Sequence, residues 1–143
     1  MALGYNPDKV RKITSEILGS LERLEELKNL PMNEFLSDPH KIGSAKYHFI
    51  VAIEGIIDLC NHVIAKNNFR TPEDYADTFR VMAERGTFDE GFTETLIQMS
   101  RFRNRLVHIY WEVDSHELYR LLQGRLDDIR SFLKKFGIFL SID

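Results

Sequence analysis

With one cysteine in 143 residues, Cys60, the chain has too few for an internal disulfide framework or a cysteine-built zinc site. That scarcity fits a reducing, cytoplasmic setting, and Cys60 itself reads as a small buried apolar residue. A large charge of either sign is missing too: 19 lysines and arginines stand against 22 aspartates and glutamates, a formal net charge of −3. The protein as a whole is therefore no polycation, and any contact with nucleic acid must come from a local patch. The most apolar stretch, Phe49 to Ala65, is interrupted by Glu54, Asp58, Asn61 and His62. A spanning helix needs roughly 20 mostly apolar residues, so no membrane span is expected. Residues 1–8 lack the apolar stretch and small-residue cleavage pattern of a secretory signal. Repeats, low-complexity tracts, linkers and sustained strand alternation between hairpin turns are absent as well.

What is present suits a helical fold. Hydrophobic residues make up 43% of the chain, enough for one sizeable core, and the length suits a single domain over residues 1–143. Asn6 as N-cap and Pro7 at the first helical position open a helix whose stripe is Val10, Ile13, Ile17, Leu21, Leu24 and Leu27. Pro31 ends it, and Met32 to Pro39 reads as a connector. A long second helix is expected from about His40 to Asn67, and a third from Thr71-Pro72, with Glu73 and Asp74 in its first turn and Gly86 as its stop. A fourth begins near Asp89 and carries Phe92, Leu96, Met99, Phe102 and Leu106. Asp114 with Glu117 offers a capping box for a fifth, which runs through Leu118, Leu122, Leu126, Ile129 and Phe132 to Phe136. The expected fold class is all-α, an up-and-down bundle of about five helices.

The clearest basic patch is Ser100 to Tyr110, reading Ser-Arg-Phe-Arg-Asn-Arg-Leu-Val-His-Ile-Tyr, with three arginines, one histidine and no carboxylate. Arginine matches phosphate through its forked donors, and histidine trades a proton near neutral pH. Together they supply a proton carrier and a cation for charge building on phosphorus. The same residues also suit a plain helix C-terminus, where cations meet the negative end of the dipole. In an unbroken helix Arg103 and His108 point about 140° apart, so continuous helix alone does not join them. Two arrangements would: a turn after the helix end, between about Val107 and Tyr110, that re-aims His108 and Tyr110, or a two-fold dimer that sets one motif against another.

Arg103, Asn104, three further residues, His108, one residue and Tyr110 resemble the R-x4-H-x-Y motif of the HEPN superfamily as found in HepT toxins. The helix order and the second helix, Val51-Ala52-Ile53-Glu54 to Asn61-His62-Val63-Ile64-Ala65, extend the resemblance over nearly the whole chain. It implies a HEPN-like fold and a metal-independent ribonuclease, without cofactor, in which the RNA 2′-hydroxyl attacks the adjacent phosphate. Carried onto this sequence, His108 is the general acid or base, Arg103 holds the scissile phosphate, and Asn104 orients one of them, with Arg105 in support. The 2′-hydroxyl requirement itself separates RNA from DNA. The resemblance also implies a homodimer and a type VII-like toxin–antitoxin pair, in which an MntA-like nucleotidyltransferase antitoxin moves AMP onto Tyr110 and so blocks the RNA phosphate. A tyrosine that simply anchors the turn, with Trp111 in the core, fits the motif too.

On the second helix Glu54, Asp58 and His62 stand four apart and form a ladder, with Asn61 beside them. The ladder reads either as a solvated face or as a support in which Glu54 or Asp58 orders the Arg103 guanidinium. Some HEPN branches carry a lysine four residues after the glutamate; Asp58 stands there, so that version is not supported. No metal is expected, since the paired Glu-x-x-His elements of a di-iron bundle are missing. A different function class stays open beside the nuclease: a non-catalytic helical module that partners or activates a nucleotidyltransferase.

Overall fold

Asn6 opens the first helix as its residue type suggests: its side-chain oxygen accepts from the backbone N–H groups of Asp8 and Lys9, and Pro7 follows where no N–H is needed. In the computed structural model, which describes residues 3–141, seven α-helices and one 3-10 turn succeed one another, with no strand among the described residues. They are α1 (Pro7–Lys28), α2 (Met32–Leu36), α3 (Pro39–Lys66), α4 (Tyr75–Glu84), α5 (Glu90–His108), the turn Tyr110–Glu112, α6 (Ser115–Gly124) and α7 (Leu126–Phe139). Met1 and Ala2, part of the stretch searched for a secretory signal, lie outside the described residues. The all-α bundle is the expected fold class.

Three expectations about helix limits need correction. The stretch read as a connector holds α2, which buries Phe35 completely. Five residues without a side-chain cap are too short to show a period. The third helix begins at Tyr75 rather than Thr71, because Asp74 is its N-cap and Asp77 draws the preceding loop inward. The Asp77 carboxylate accepts from the Glu73 N–H and pairs with Arg70, whose proximity holds that carboxyl below the usual range. Gly86, at φ +82°, ends the segment in the left-handed conformation that glycine tolerates. The last expected helix is two, interrupted after Gly124, a poor helix former. The apolar steps from Leu122 to Leu126 and Ile129 run across the interruption and conceal it.

The long helix α3 is the centre of the bundle. By length and composition it is apolar enough to cross a membrane, but its apolarity has another use, since Phe49, Ile53, Ile56, Leu59, Cys60 and Val63 are buried in the core. Burial pushes the Cys60 thiol far up, so it stays protonated and inert. α1 packs along α3 so closely that a Cβ on Gly55 would stand 2.6 Å from the buried Ile17 side chain. α5 lies across α3 and α4, while α6 and α7 close the bundle against α1. His62 is spent inside this frame: its Nε2 accepts the Asn6 N–H at 2.9 Å, so the lone pair a metal would need already binds the start of α1. Asn61 accepts from the Thr78 hydroxyl and ties α3 to α4.

Candidate active site

Asp89 caps α5 by accepting from the Phe92 N–H, and the helix then runs without a break to His108, bringing Arg105 and His108 into its negative last turn. Its inward residues, Leu96, Ile97, Ser100 and Leu106, fix the rotation of the helix and so decide where each arginine points.

Arg103 points to α3. Its Nε and one terminal nitrogen donate to the same oxygen of Glu54, at 3.1 and 2.8 Å, and the other terminal nitrogen donates to the Asn104 side chain at 3.1 Å. The guanidinium carbon lies 5.0 Å from the ring centroid of Tyr75, the first residue of α4. The Arg103 side chain is 13% exposed and that of Glu54 is 43% exposed, so the pair stands at the wall of the bundle with its carboxylate toward solvent. Asp58, one turn along α3, makes no hydrogen bond to Arg103. Loss of hydration and the neighbouring Glu54 charge push its carboxyl above the ordinary range.

Arg105 turns elsewhere. It forms a two-pronged ion pair with Glu117 of α6, at 2.7 and 2.8 Å, and holds that carboxyl below the usual range. Glu117 is therefore drawn away from the capping box: Asp114 caps α6 alone, accepting from the His116 N–H. Arg105 and Glu117 also line an open groove of about 480 Å³ floored by Phe49, Phe102, Met99 and Leu121.

His108 is the last residue of α5 and is exposed. The turn expected to re-aim it begins one residue too late, and among the described residues no hydrogen bond joins it to Arg103. The change of direction, with Ile109 at φ −133° and ψ 48°, moves Tyr110 instead. Tyr110 opens the 3-10 turn, 44% exposed, and its hydroxyl lies 3.9 Å from where a Cβ on Gly43 would stand. Trp111 is 76% exposed, so the alternative that places it in the core is overturned. Two residues at this end escaped the sequence reading, Lys46 and Tyr75. Lys46 donates to the Tyr110 carbonyl at 3.1 Å and stands 4.0 Å from the centre of its ring. Its place on the apolar stripe, three residues before Phe49 and seven before Ile53, was the available signal.

Known proteins share this frame. The family model described as "Ribonuclease HepT-like" matches residues 17–136. The mRNA nuclease HepT of Shewanella oneidensis is 26% identical over 80 residues, which are 56% of this chain and 60% of that protein. A protein of Archaeoglobus fulgidus that carries a provisional RNase name is 26% identical over 113 residues, 79% of this chain and 80% of the relative. Among solved structures, the tri-AMPylated Shewanella oneidensis HEPN toxin, determined in complex with its MNT antitoxin, superposes with a TM-score of 0.84 at 21% identity, covering 92% of this chain and 98% of that one. The cytosolic YutE of Bacillus subtilis gives 0.79 at 23% identity, over 99% of this chain and 94% of its own. The matched span takes in Glu54, the α5 arginines, His108 and Tyr110, and the chain belongs to the HepT-like ribonuclease family.

Proposed function

We propose that this protein is a metal-independent endoribonuclease, the toxin of a toxin–antitoxin pair, with Arg103 and His108 as its catalytic residues. The observation that carries the reading is the arginine on α5 held 2.8 Å from Glu54, with an uncommitted, exposed histidine at the end of the same helix, in a chain of this ribonuclease family. His108 takes the proton of the RNA 2′-hydroxyl, whose oxygen then bonds to phosphorus. The 5′-oxygen leaves with a proton, giving a 2′,3′-cyclic phosphate and a 5′-hydroxyl. Arg103 offers its donors to the phosphoryl oxygens as negative charge builds there. Glu54 and Asn104 aim the guanidinium, Asp58 adds negative potential behind Glu54, and Arg105 keeps the end of α5 fixed to α6.

Because α5 is helical through His108, Arg103 and His108 of one chain diverge, and the site is completed in a homodimer that sets two copies of the segment face to face. Tyr110 is the acceptor of AMP from an MntA-like nucleotidyltransferase antitoxin, and the anionic adduct beside His108 keeps RNA phosphate out. The place of action is the cytoplasm, in line with the cytosolic Bacillus subtilis relative.

The test is cleavage of RNA by protein made without its transferase, in the presence of a chelator. The expected result is cyclic-phosphate ends, no cutting where the 2′-hydroxyl is replaced by hydrogen, and a loss of at least about 100-fold in His108→Ala. Intact RNA, or a His108→Ala protein as fast as wild type, sinks the nuclease reading. Tight binding of the transferase without cleavage would favour the non-catalytic module instead.

A further inference from the structure

Among the described residues Lys46 is the only lysine or arginine in the buried interior. Buried charge is costly unless it is paired, and here the ammonium has no carboxylate within ion-pair distance among the described residues. Burial accordingly pulls its pKa down from the ordinary lysine value. A methionine would fill the same buried space at no such cost, so packing does not account for the charge.

What the ammonium touches is Tyr110, and it touches it twice. It donates to the tyrosine's carbonyl oxygen at 3.1 Å, and it stands over the electron-rich face of the ring, 4.0 Å from its centre. The second hydrogen bond to that carbonyl, from the Val113 N–H, is longer at 3.4 Å, so the lysine is the shorter restraint on the turn. One contact fixes the main chain where α5 has just ended, and the other fixes the ring. With both held, the hydroxyl lies beside Gly43, where no side chain stands in its way, on a residue that remains half exposed.

We propose that Lys46 is a positioning residue for nucleotidyl transfer to Tyr110, gripping the tyrosine by its carbonyl and ring face so that the phenolic oxygen is presented to the transferase. This rests on the reading of Tyr110 as the AMP acceptor. In the step served, the phenolic oxygen bonds to the α-phosphorus of ATP and the bond from that phosphorus to the bridging oxygen breaks. Pyrophosphate leaves, and the phenolic proton passes to a base of the transferase. Lys46 touches none of the reacting atoms; it removes the motion that would keep them apart.

The experiment uses the whole protein with its nucleotidyltransferase and ATP, following AMP mass on Tyr110 by peptide mass spectrometry in wild type, Lys46→Met and Lys46→Arg. The expected result for Lys46→Met is a fall in kcat of about tenfold or more, a KM for the toxin within about threefold of wild type, and a thermal midpoint no lower. Arginine, which keeps the cation, is expected to recover most of the loss. Transfer to Lys46→Met at the wild-type rate, or an equal loss in both variants, overturns the inference while leaving Tyr110 as acceptor. A wild type never modified at Tyr110 removes the acceptor role and the inference together.

Discussion

Arg103 and Arg105 stand two residues apart on α5, about 200° around the helix, and each meets a glutamate, yet the two pairs are built differently. Arg105 gives separate nitrogens to separate oxygens of Glu117, the closed fork that saturates a carboxylate. Arg103 sends two nitrogens to a single oxygen of Glu54 and the third to exposed Asn104. The closed fork bridges α5 to α6 and acts as a structural tie. The other arrangement holds a guanidinium in place while leaving donors that can change partner, which is what a phosphate-binding arginine requires. A basic motif is thus divided by helix rotation into a residue that ties α5 to α6 and one that, in the proposed mechanism, is free to take the substrate phosphate.

Substitution separates the two most sharply in catalysis. Arg103→Ala is expected to slow RNA cleavage by about 100-fold or more, the scale of a lost donor to a developing oxyanion, whereas Arg105→Ala stays within about threefold of wild type. Equal losses in initial rate on a labelled RNA would break the comparison. A smaller effect follows at the carboxylates. Glu54→Gln keeps the shape but weakens the orientation of Arg103, and a loss of about tenfold is expected, against little change in Glu117→Gln. If Glu54 acts through Arg103, its substitution costs far less in the Arg103→Ala background, a non-additivity that a double-mutant cycle reads directly.

Much of this is legible in the sequence alone. The N-cap at Asn6, the apolar stripe of α1, the start of α5 at Asp89 and its end near His108 all follow from local chemistry, because capping and periodicity are written within a few neighbouring residues. The failures share a cause. Glu117 satisfied the capping-box spacing, but a guanidinium twelve residues earlier competed for the carboxylate and won. Glu73 and Asp74 are expected inside the third helix, but Arg70 pairs with Asp77 and pins the loop that precedes it, leaving Asp74 as the N-cap. Lys46 lies 64 residues from the tyrosine it grips, and no local pattern records that distance. The Glu54 to Arg103 pairing, across 49 residues, was reachable only as one of two readings of a helix face.

Stability is expected to rank the two arginine pairs the other way round from catalysis. Arg105→Ala or Glu117→Ala loses a fork between two helices; since both side chains are partly exposed, solvent screening keeps the cost near 1 kcal/mol, about 3 °C in thermal midpoint. Glu54→Gln, with its carboxylate at the wall of the bundle, is expected to move the midpoint less. A scanning fluorescence melt of the three variants beside wild type checks the order.

Mild acid supplies the smallest effect and isolates the tie from the rest of the fold. His62 has its pKa lowered by burial, with Lys9 and Lys66 adding to the shift, and its neutral ring accepts the Asn6 N–H at the start of α1. His48, bonded to Ser20, is lowered as well, by burial and then by Arg23. Below the ordinary histidine value of 6.5 the unfolded chain takes up protons that the folded rings resist. Stability is therefore full above that value and declines as pH falls through the window beneath it. Glu117, held below its ordinary 4.5 by Arg105, keeps its contribution until pH drops past that point. Between about pH 7.5 and 5.5 the thermal midpoint should thus decline through the histidines while the α5–α6 fork stays intact. His62→Gln, whose neutral amide retains an acceptor for Asn6, is expected to flatten that slope, whereas Arg105→Ala lowers the midpoint by the same amount at both ends. A slope unchanged by His62→Gln, or steepened by Arg105→Ala, would show that the fork and the N-terminal cap do not titrate apart.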